Sequence, residues 1–406
     1  MTEEAERNSG KWAALGLLAF ALVLSMTTWF SASAVVPQLR AEWSLSDSSA
    51  AWLTIAVQLG FVCGAVVSSV LNVSDIISPR RVILAGAVGA ASANALFGFS
   101  GGAEFGVPLR FLTGFFLAGV YPPSLKLIAT WFVRGRGVAL GILVGAITVG
   151  SATPHFVNGL GGLDWGVVIF ATSALTLLGG FIAGFVVKDG PHPFPRAVFD
   201  PRQAGALFTN RGVRLASFGY FGHMWELYAM WAWFLVFFSD ALAEVGTPSG
   251  STAAYATFAV IGIGGVGCWV GGIMGDRWGR TNTTALMMAV SGLCALFIGL
   301  LFGGPAWLIL VVGLVWGFTV IADSAQFSTM CTELADQAYV GTVLTLQLAL
   351  GFTLTVATIW LIPVLETLVG WQWAFAILVP GPLFGLLAML RLKSLPEAEK
   401  IAGGKG

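Results

Sequence analysis

Gly272-Ile273-Met274-Gly275-Asp276-Arg277-Trp278-Gly279-Arg280 packs three charges and three glycines into nine residues. Apolar runs flank it, Ala253 to Val270 before and Thr284 to Phe302 after. Asp276, Arg277 and Arg280 cannot pass through hydrocarbon cheaply, so the stretch reads as a tight turn at a membrane surface. Glycine permits both sharp backbone geometry and close helix approach. Arginines collect on the cytoplasmic side of membrane proteins, which puts this turn inside the cell.

The composition agrees. Of 406 residues, 57% are hydrophobic and 10% charged, and the mean hydropathy is +0.85. Soluble proteins carry about 25% charged residues, so the chain belongs to the polytopic membrane class. Its 53 glycines suit closely packed helices. A net charge of zero without a basic patch gives no sign of a nucleic-acid partner. Cys63, Cys268, Cys294 and Cys331 are scattered among apolar segments, with no metal spacing and no disulfide framework. No motif calls for a cofactor. The first apolar run, 12–37, is too long for a signal peptide and reads as a retained helix.

A run of about 20 apolar residues crosses a bilayer. Such runs predict twelve helices, near 12–37, 49–72, 82–101, 107–131, 137–160, 165–188, 213–239, 251–274, 283–303, 306–331, 339–363 and 371–392. A polar, proline-rich stretch divides them into an N-terminal bundle (1–188), a central loop (189–211) and a C-terminal bundle (212–406). The charges sort by side. Arg80, Arg81, Arg134, Arg136, Lys188, Arg211, Arg277, Arg280 and Arg391 fall on one, with Glu42, Glu104, Asp164, Asp240 and Glu366 on the other. Both termini are then cytoplasmic. The halves also repeat. Met26 to Phe30 echoes Met230 to Phe234, Gly137 and Leu140 echo Gly341 and Leu344, and Trp165 echoes Trp371.

The spacing Gly-x-x-x-Asp-Arg-x-Gly-Arg at Gly272, Asp276, Arg277, Gly279 and Arg280 resembles the loop motif of the major facilitator superfamily. In that family it lies between helices 2 and 3 and recurs between helices 8 and 9, and this copy matches the second place. The first-half counterpart, Leu71 to Arg81, keeps Asp75 and Arg80 but has lost its glycines. The resemblance implies an all-α membrane fold of twelve transmembrane helices in two pseudo-symmetric six-helix bundles. The substrate site would lie between them near the midplane, lined by helices 1, 4, 7 and 10. Arg110-Phe111-Leu112-Thr113-Gly114 is similar to the family's helix-4 motif, which implies a link to proton coupling. Trp29-Phe30-Ser31 and the Arg134-Gly135-Arg136-Gly137 loop resemble the bacterial anion-porter branch of nitrate/nitrite and cyanate porters. Two departures stand out. Gly150 to Pro154 lacks the Gly-x-x-x-Gly-Pro signature of antiporters, and helices 2 and 8 lack the arginines of nitrate porters.

Four charges fall inside the spans, Arg110, Lys126, Glu226 and Asp323, and His155 and His223 join them. Each should face the bundle interior or water. Glu226 lies about 20 Å into helix 7 at 1.5 Å per residue, with His223 one turn earlier on the same face. Withdrawal from water penalises a carboxylate's charged form, so Glu226 reads as the proton carrier, with His223 as relay, or as a structural carboxyl tied to hydroxyls. Asp323 reads as a titrating group, a cation ligand, a partner for Lys126, or a helix-end salt bridge. Arg110 either binds solute or snorkels toward Glu104. Lys126, after the helix-bending Tyr121-Pro122-Pro123, either holds an anion or reaches the cytoplasm. His155 either polarises a solute or is structural.

These residues lead to an expected function: a monomeric, proton-coupled secondary transporter carrying a small anionic solute across the bacterial inner membrane, with lipid, protons and solute as its partners. The expected solute contacts are Arg110, Lys126, Tyr121, His155, Trp29 and Gln326. The expected proton-coupling groups are Glu226, His223 and Asp323. Proton-coupled efflux of a hydrophobic or cationic compound is the alternative, its pocket lined from the 16 Trp and 30 Phe. A non-transporting membrane sensor is a third reading. No nucleophile elbow or phosphate loop suggests an enzyme.

Overall fold

The structure, a computed structural model, describes residues 3–132, 136–161, 163–192, 205–248, 250–336 and 340–406. Arg134, the side chains of Asp75 and Arg136, and residues 193–204 of the expected central loop lie outside the described residues. Among the described residues, twelve long helices follow one another: α1 (Gly10–Thr28), α2 (Ser48–Val70), α3 (Pro79–Phe97), α4 (Ala103–Ala129), α5 (Gly137–Gly159), α6 (Trp165–Val186), α7 (Arg211–Glu244), α8 (Gly250–Trp278), α9 (Arg280–Leu301), α10 (Ala306–Leu334), α11 (Val340–Val369) and α12 (Trp371–Lys393). Among the described residues, eleven are long and apolar enough to cross a bilayer. The exception is α3, whose 19 residues are diluted by Arg80, Arg81 and Asn94.

The two halves pack alike. In the first, α4 lies against α2 and α3, α6 against α1 and α3, and α5 against α1. In the second, α10 lies against α8 and α9, α12 against α7 and α9, and α11 against α7. Even the close approaches correspond. Gly114 presses on the Val57 carbonyl, and Gly317 on the Val260 carbonyl, each 203 positions later. Trp165 Nε1 donates to Glu42 Oε2 at 2.6 Å, and Trp371 Nε1 donates to Asp240 Oδ2 at 2.9 Å, pinning the last helix of each bundle at the end away from the Gly272–Arg280 motif. The bundles meet through α2 with α11 and α5 with α8.

Several helices are interrupted. The expected first span is broken: regular helix stops at Ser25, short 3-10 turns cover Met26–Thr28 and Ser33–Val35, and Val36–Trp43 resumes with Pro37 in its first turn. α4 breaks over residues 118–120, before Pro122 and Pro123 remove two backbone donors. α10 breaks at Asp323, the repeat-related position. The charged motif is not the tight turn that its composition suggests. α8 stays helical through Trp278, and only Gly279, at φ 103°, turns the chain into α9. Gly264, Gly267 and Gly271 let the Gly264–Trp278 part of α8 ride on the α10 backbone.

Candidate functional site

At the motif end, Arg280 is almost fully buried and gathers three partners. It lies 3.2 Å from Asp276 one turn earlier, 3.0 Å from Glu333 at the end of α10, and donates to Gln326 Oε1 at 2.8 Å. Gln326 also donates to the Gly271 carbonyl. Gln326, expected at the solute, is therefore held in this clasp, because α10 passes the motif one turn below its break. Asp276 faces the other bundle: a methyl group placed on Gly137, at the start of α5, would lie 3.2 Å from its carboxylate. A carboxylate at a helix N-terminus meets the positive end of the helix dipole. Arg277 and Trp278 lie on the exposed side, and Gly272 approaches Gly137 and Val138. The first-half copy differs. Arg80 pairs with Asp189 at 3.2 Å and donates to the Val187 carbonyl, tying α3 to the end of α6.

Arg110 is fully buried and does not snorkel. Its guanidinium reaches the broken stretch of α1, donating to the carbonyls of Thr28 (2.9 Å) and Trp29 and to Ser31 Oγ (3.0 Å). It also donates to Asn94 Oδ1 (2.9 Å) and the Leu53 carbonyl (3.3 Å). Carbonyls freed by a break in a helix need donors where water is absent, and Arg110 supplies them. The sequence marks the intramembrane charge, but its partners Ser31 and Asn94 come from α1 and α3 and carry no local signal.

Two separate acid sites lie in the second bundle. His223 Nδ1 and Asp323 Oδ1 are 2.9 Å apart, with both side chains nearly inaccessible to solvent. His223 was expected to serve Glu226 through their shared helix face, but its partner is across the bundle, at the break in α10. Glu226 instead accepts from Trp316 Nε1 at 2.6 Å and Ser291 Oγ at 2.9 Å, on α10 and α9. The hydroxyl tie is one of the two sequence expectations for Glu226, whereas Trp316, 90 residues away, carries no local signal. Below Asp323, the Ser324–Leu334 segment packs on α5 of the other bundle.

At the level of these groups the two bundles meet through rings. Trp29 lies 5.9 Å from Tyr228 and 5.7 Å from Phe352, and Phe61 lies 4.8 Å from Phe352. Phe30 is 5.7 Å from Trp231, and Tyr121 is 6.4 Å from Phe61. Trp29 and Tyr121 thus sit at the centre, His155 is fully buried, and Lys126 is partly exposed on the lower segment of α4. A cleft of about 920 Å³ at the far end of the first bundle, beside Trp43, Ser46, Phe99 and Glu104, contains none of the expected residues.

Between the bundles, α5 and α8 touch through Gly137, Gly141 and Gly145. Methyl groups at Gly141 and Gly145 would meet the Cys268 and Gly265 carbonyls at 3.1 and 2.9 Å. This four-residue glycine repeat is a helix-contact signature and is legible in the sequence at Gly137, Gly141 and Gly145.

A family model described as Major Facilitator Superfamily matches residues 18–357. Among curated proteins, the multidrug efflux pump LfrA of Mycolicibacterium smegmatis is 28% identical over 202 residues, 49% of this chain and 40% of that protein. A probable actinorhodin transporter of Streptomyces coelicolor is 26% identical over 218 residues, 51% of this chain and 36% of that protein. The chain thus spans less than half the length of these two relatives. The probable sulfoacetate transporter SauU of Cupriavidus necator is 24% identical over 370 residues, 86% of this chain and 78% of that protein.

Proposed function

The chain belongs to the Major Facilitator Superfamily, and from that membership we propose that it is a proton-coupled secondary transporter exporting a largely apolar organic solute across a bacterial inner membrane. The bundles rock about the α2–α11 and α5–α8 contacts, opening the centre to one side at a time. The arginine-rich motif end faces the cytoplasm, and both termini lie on that side. One chain is the working unit, in the lipid bilayer, with the solute and protons as its partners.

The His223–Asp323 pair carries the coupling in this reading. Arrival or loss of one proton changes the charge at a joint in α10, and the segment below that joint packs on the other bundle. Glu226, by contrast, is braced by two fixed donors within its own bundle. The apolar solute is supported by the central rings, by the turning of Arg110 onto α1, and by likeness to an efflux pump and an actinorhodin transporter. Proton-linked uptake of a small anion is the second reading. It is favoured by the likeness to a sulfoacetate transporter over 86% of the chain, and by Lys126 on a cavity helix.

The test uses proteoliposomes and a solute found by thermal-shift screening, since a ligand of the native state raises its melting temperature. In Asp323→Asn, exchange of solute at equal pH should continue, because rocking of the loaded carrier needs no deprotonation. Transport driven by a pH gradient should stop. Glu226→Gln should keep driven transport. The reverse pattern would return the coupling role to Glu226.

A further inference from the structure

Apart from the His223–Asp323 pair, four buried side chains near the bundle interface carry polar atoms with no hydrogen-bond partner among the described residues. They are the indole nitrogens of Trp29 and Trp231, the amide of Gln58, and both ring nitrogens of His155. Buried polar groups are otherwise almost always paired with protein or water, so several without a protein partner in one region call for water or a guest there. Their surroundings are shared. Trp29 lies nearly parallel to Tyr228, at 26° and 5.9 Å. Phe30 lies parallel to Tyr228, at 12° and 6.0 Å, and edge-on to Trp231 at 5.7 Å. Gln58 precedes Phe61 by one turn of α2, and Phe61 packs 4.8 Å from Trp29. His155 falls between two contacts of α5 with the broken stretch of α1. One is Gly150 against Met26, and the other is the Asn158 amide on the Ala34 carbonyl at 2.8 Å.

Resting on the transporter reading and narrowing its solute, we propose that this ring cluster binds a planar aromatic molecule, uncharged or singly anionic, with hydrogen-bond acceptors on its rim. An indole N–H donates and cannot accept, so Trp29 and Trp231 select acceptors. Trp29 and Phe30 stack on Tyr228, and when the bundles part those faces favour offset stacking with a flat guest. A cation finds no open carboxylate here: Glu226 is held by Trp316 and Ser291, and Asp323 by His223. Gln58 and His155 each supply a donor and an acceptor at the edge.

The proposal is tested on the purified full-length protein with three probes. Coumarin is flat and carries only acceptors, naphthalene is flat without them, and δ-valerolactone has the acceptors without an aromatic ring. Coumarin should raise the melting temperature and bind more tightly than naphthalene, and δ-valerolactone should have no effect. Trp29→Phe and Trp231→Phe keep a ring and remove the donor. Each should weaken coumarin about three- to tenfold, the loss of one net hydrogen bond, and leave naphthalene unchanged. Trp269→Phe, at a half-exposed position, should change nothing. Variants count only if they melt like the parent without a probe, and His155→Phe provides a further donor deletion if one does not. Equal binding of coumarin and naphthalene, or coumarin affinity unmoved by the Trp variants, overturns the assignment. A library screen of proton flux in proteoliposomes separates the two levels. Flux elicited by non-aromatic solutes alone refutes the aromatic class and keeps the transporter. Exchange and flux with no solute at all refute the transporter reading.

Discussion

Arg110 does for α1 what a helix normally does for itself. Where regular helix stops at Ser25, the Thr28 and Trp29 carbonyls lose their own-helix donors, and the guanidinium takes their place. A planar fork serves five acceptors at once, whereas an ammonium is a point charge with three donors. Arg110→Lys should therefore lower stability, and Arg110→Met more so. Each buried acceptor left bare costs about 1–3 kcal/mol, and thermal melting in detergent reads the difference. A lysine variant melting like the parent would show that the fork geometry is unimportant. The same residue marks what sequence spacing can reach. That Arg110 is intramembrane follows from the run around it, but that its target is a broken backbone 79 to 82 residues earlier does not. His223 gives the same lesson, since its helix-face neighbour is Glu226 and its partner is Asp323.

At the level of elements, the contact between α5 and α8 is built from absent side chains. Gly137, Gly141 and Gly145 lie one turn apart and bring the two backbones together along one stripe. Gly145→Leu would push against the Gly265 carbonyl, where even a methyl group would sit at 2.9 Å. The variant should insert and fold, because the helices within each bundle keep their own packing. Solute exchange should fall at least tenfold, because the bundles can no longer close on this line. Counterflow in proteoliposomes measures it, and Gly262→Ala, whose added methyl group meets only Ala152 at 4.0 Å, should exchange normally. Normal exchange by Gly145→Leu would mean that α5 and α8 can part without consequence.

For the whole molecule, polar side chains reach from one bundle to the other at the motif end. Asp276 faces the start of α5, and Ser69 Oγ on α2 lies 3.0 Å from Thr345 Oγ1 on α11. If the halves rock, that second pair must separate in each cycle. Ser69→Cys with Thr345→Cys, in a Cys63→Ser background because Cys63 is the exposed thiol among the described residues, should form a disulfide on mild oxidation. Transport should stop, and a reductant should restore it. Uninterrupted transport by the crosslinked protein would exclude separation of α2 from α11 at this end.

The sequence by itself determined the class, the twelve spans, the duplication and the intramembrane charges. These depend on transfer of each segment from water to hydrocarbon, a property of residues taken one run at a time. It also pointed to Asp276 and Arg280 as a unit, through the spacing of the loop motif. The tertiary structure decided partnership. It set Arg110 on the broken α1, His223 on Asp323, Glu226 on Trp316 and Ser291, and Gln326 on Arg280. Those pairings join residues 46 to 100 positions apart, and a polar group in hydrocarbon takes whichever partner the packing brings within about 3 Å, a choice made by helix contacts that no local spacing encodes.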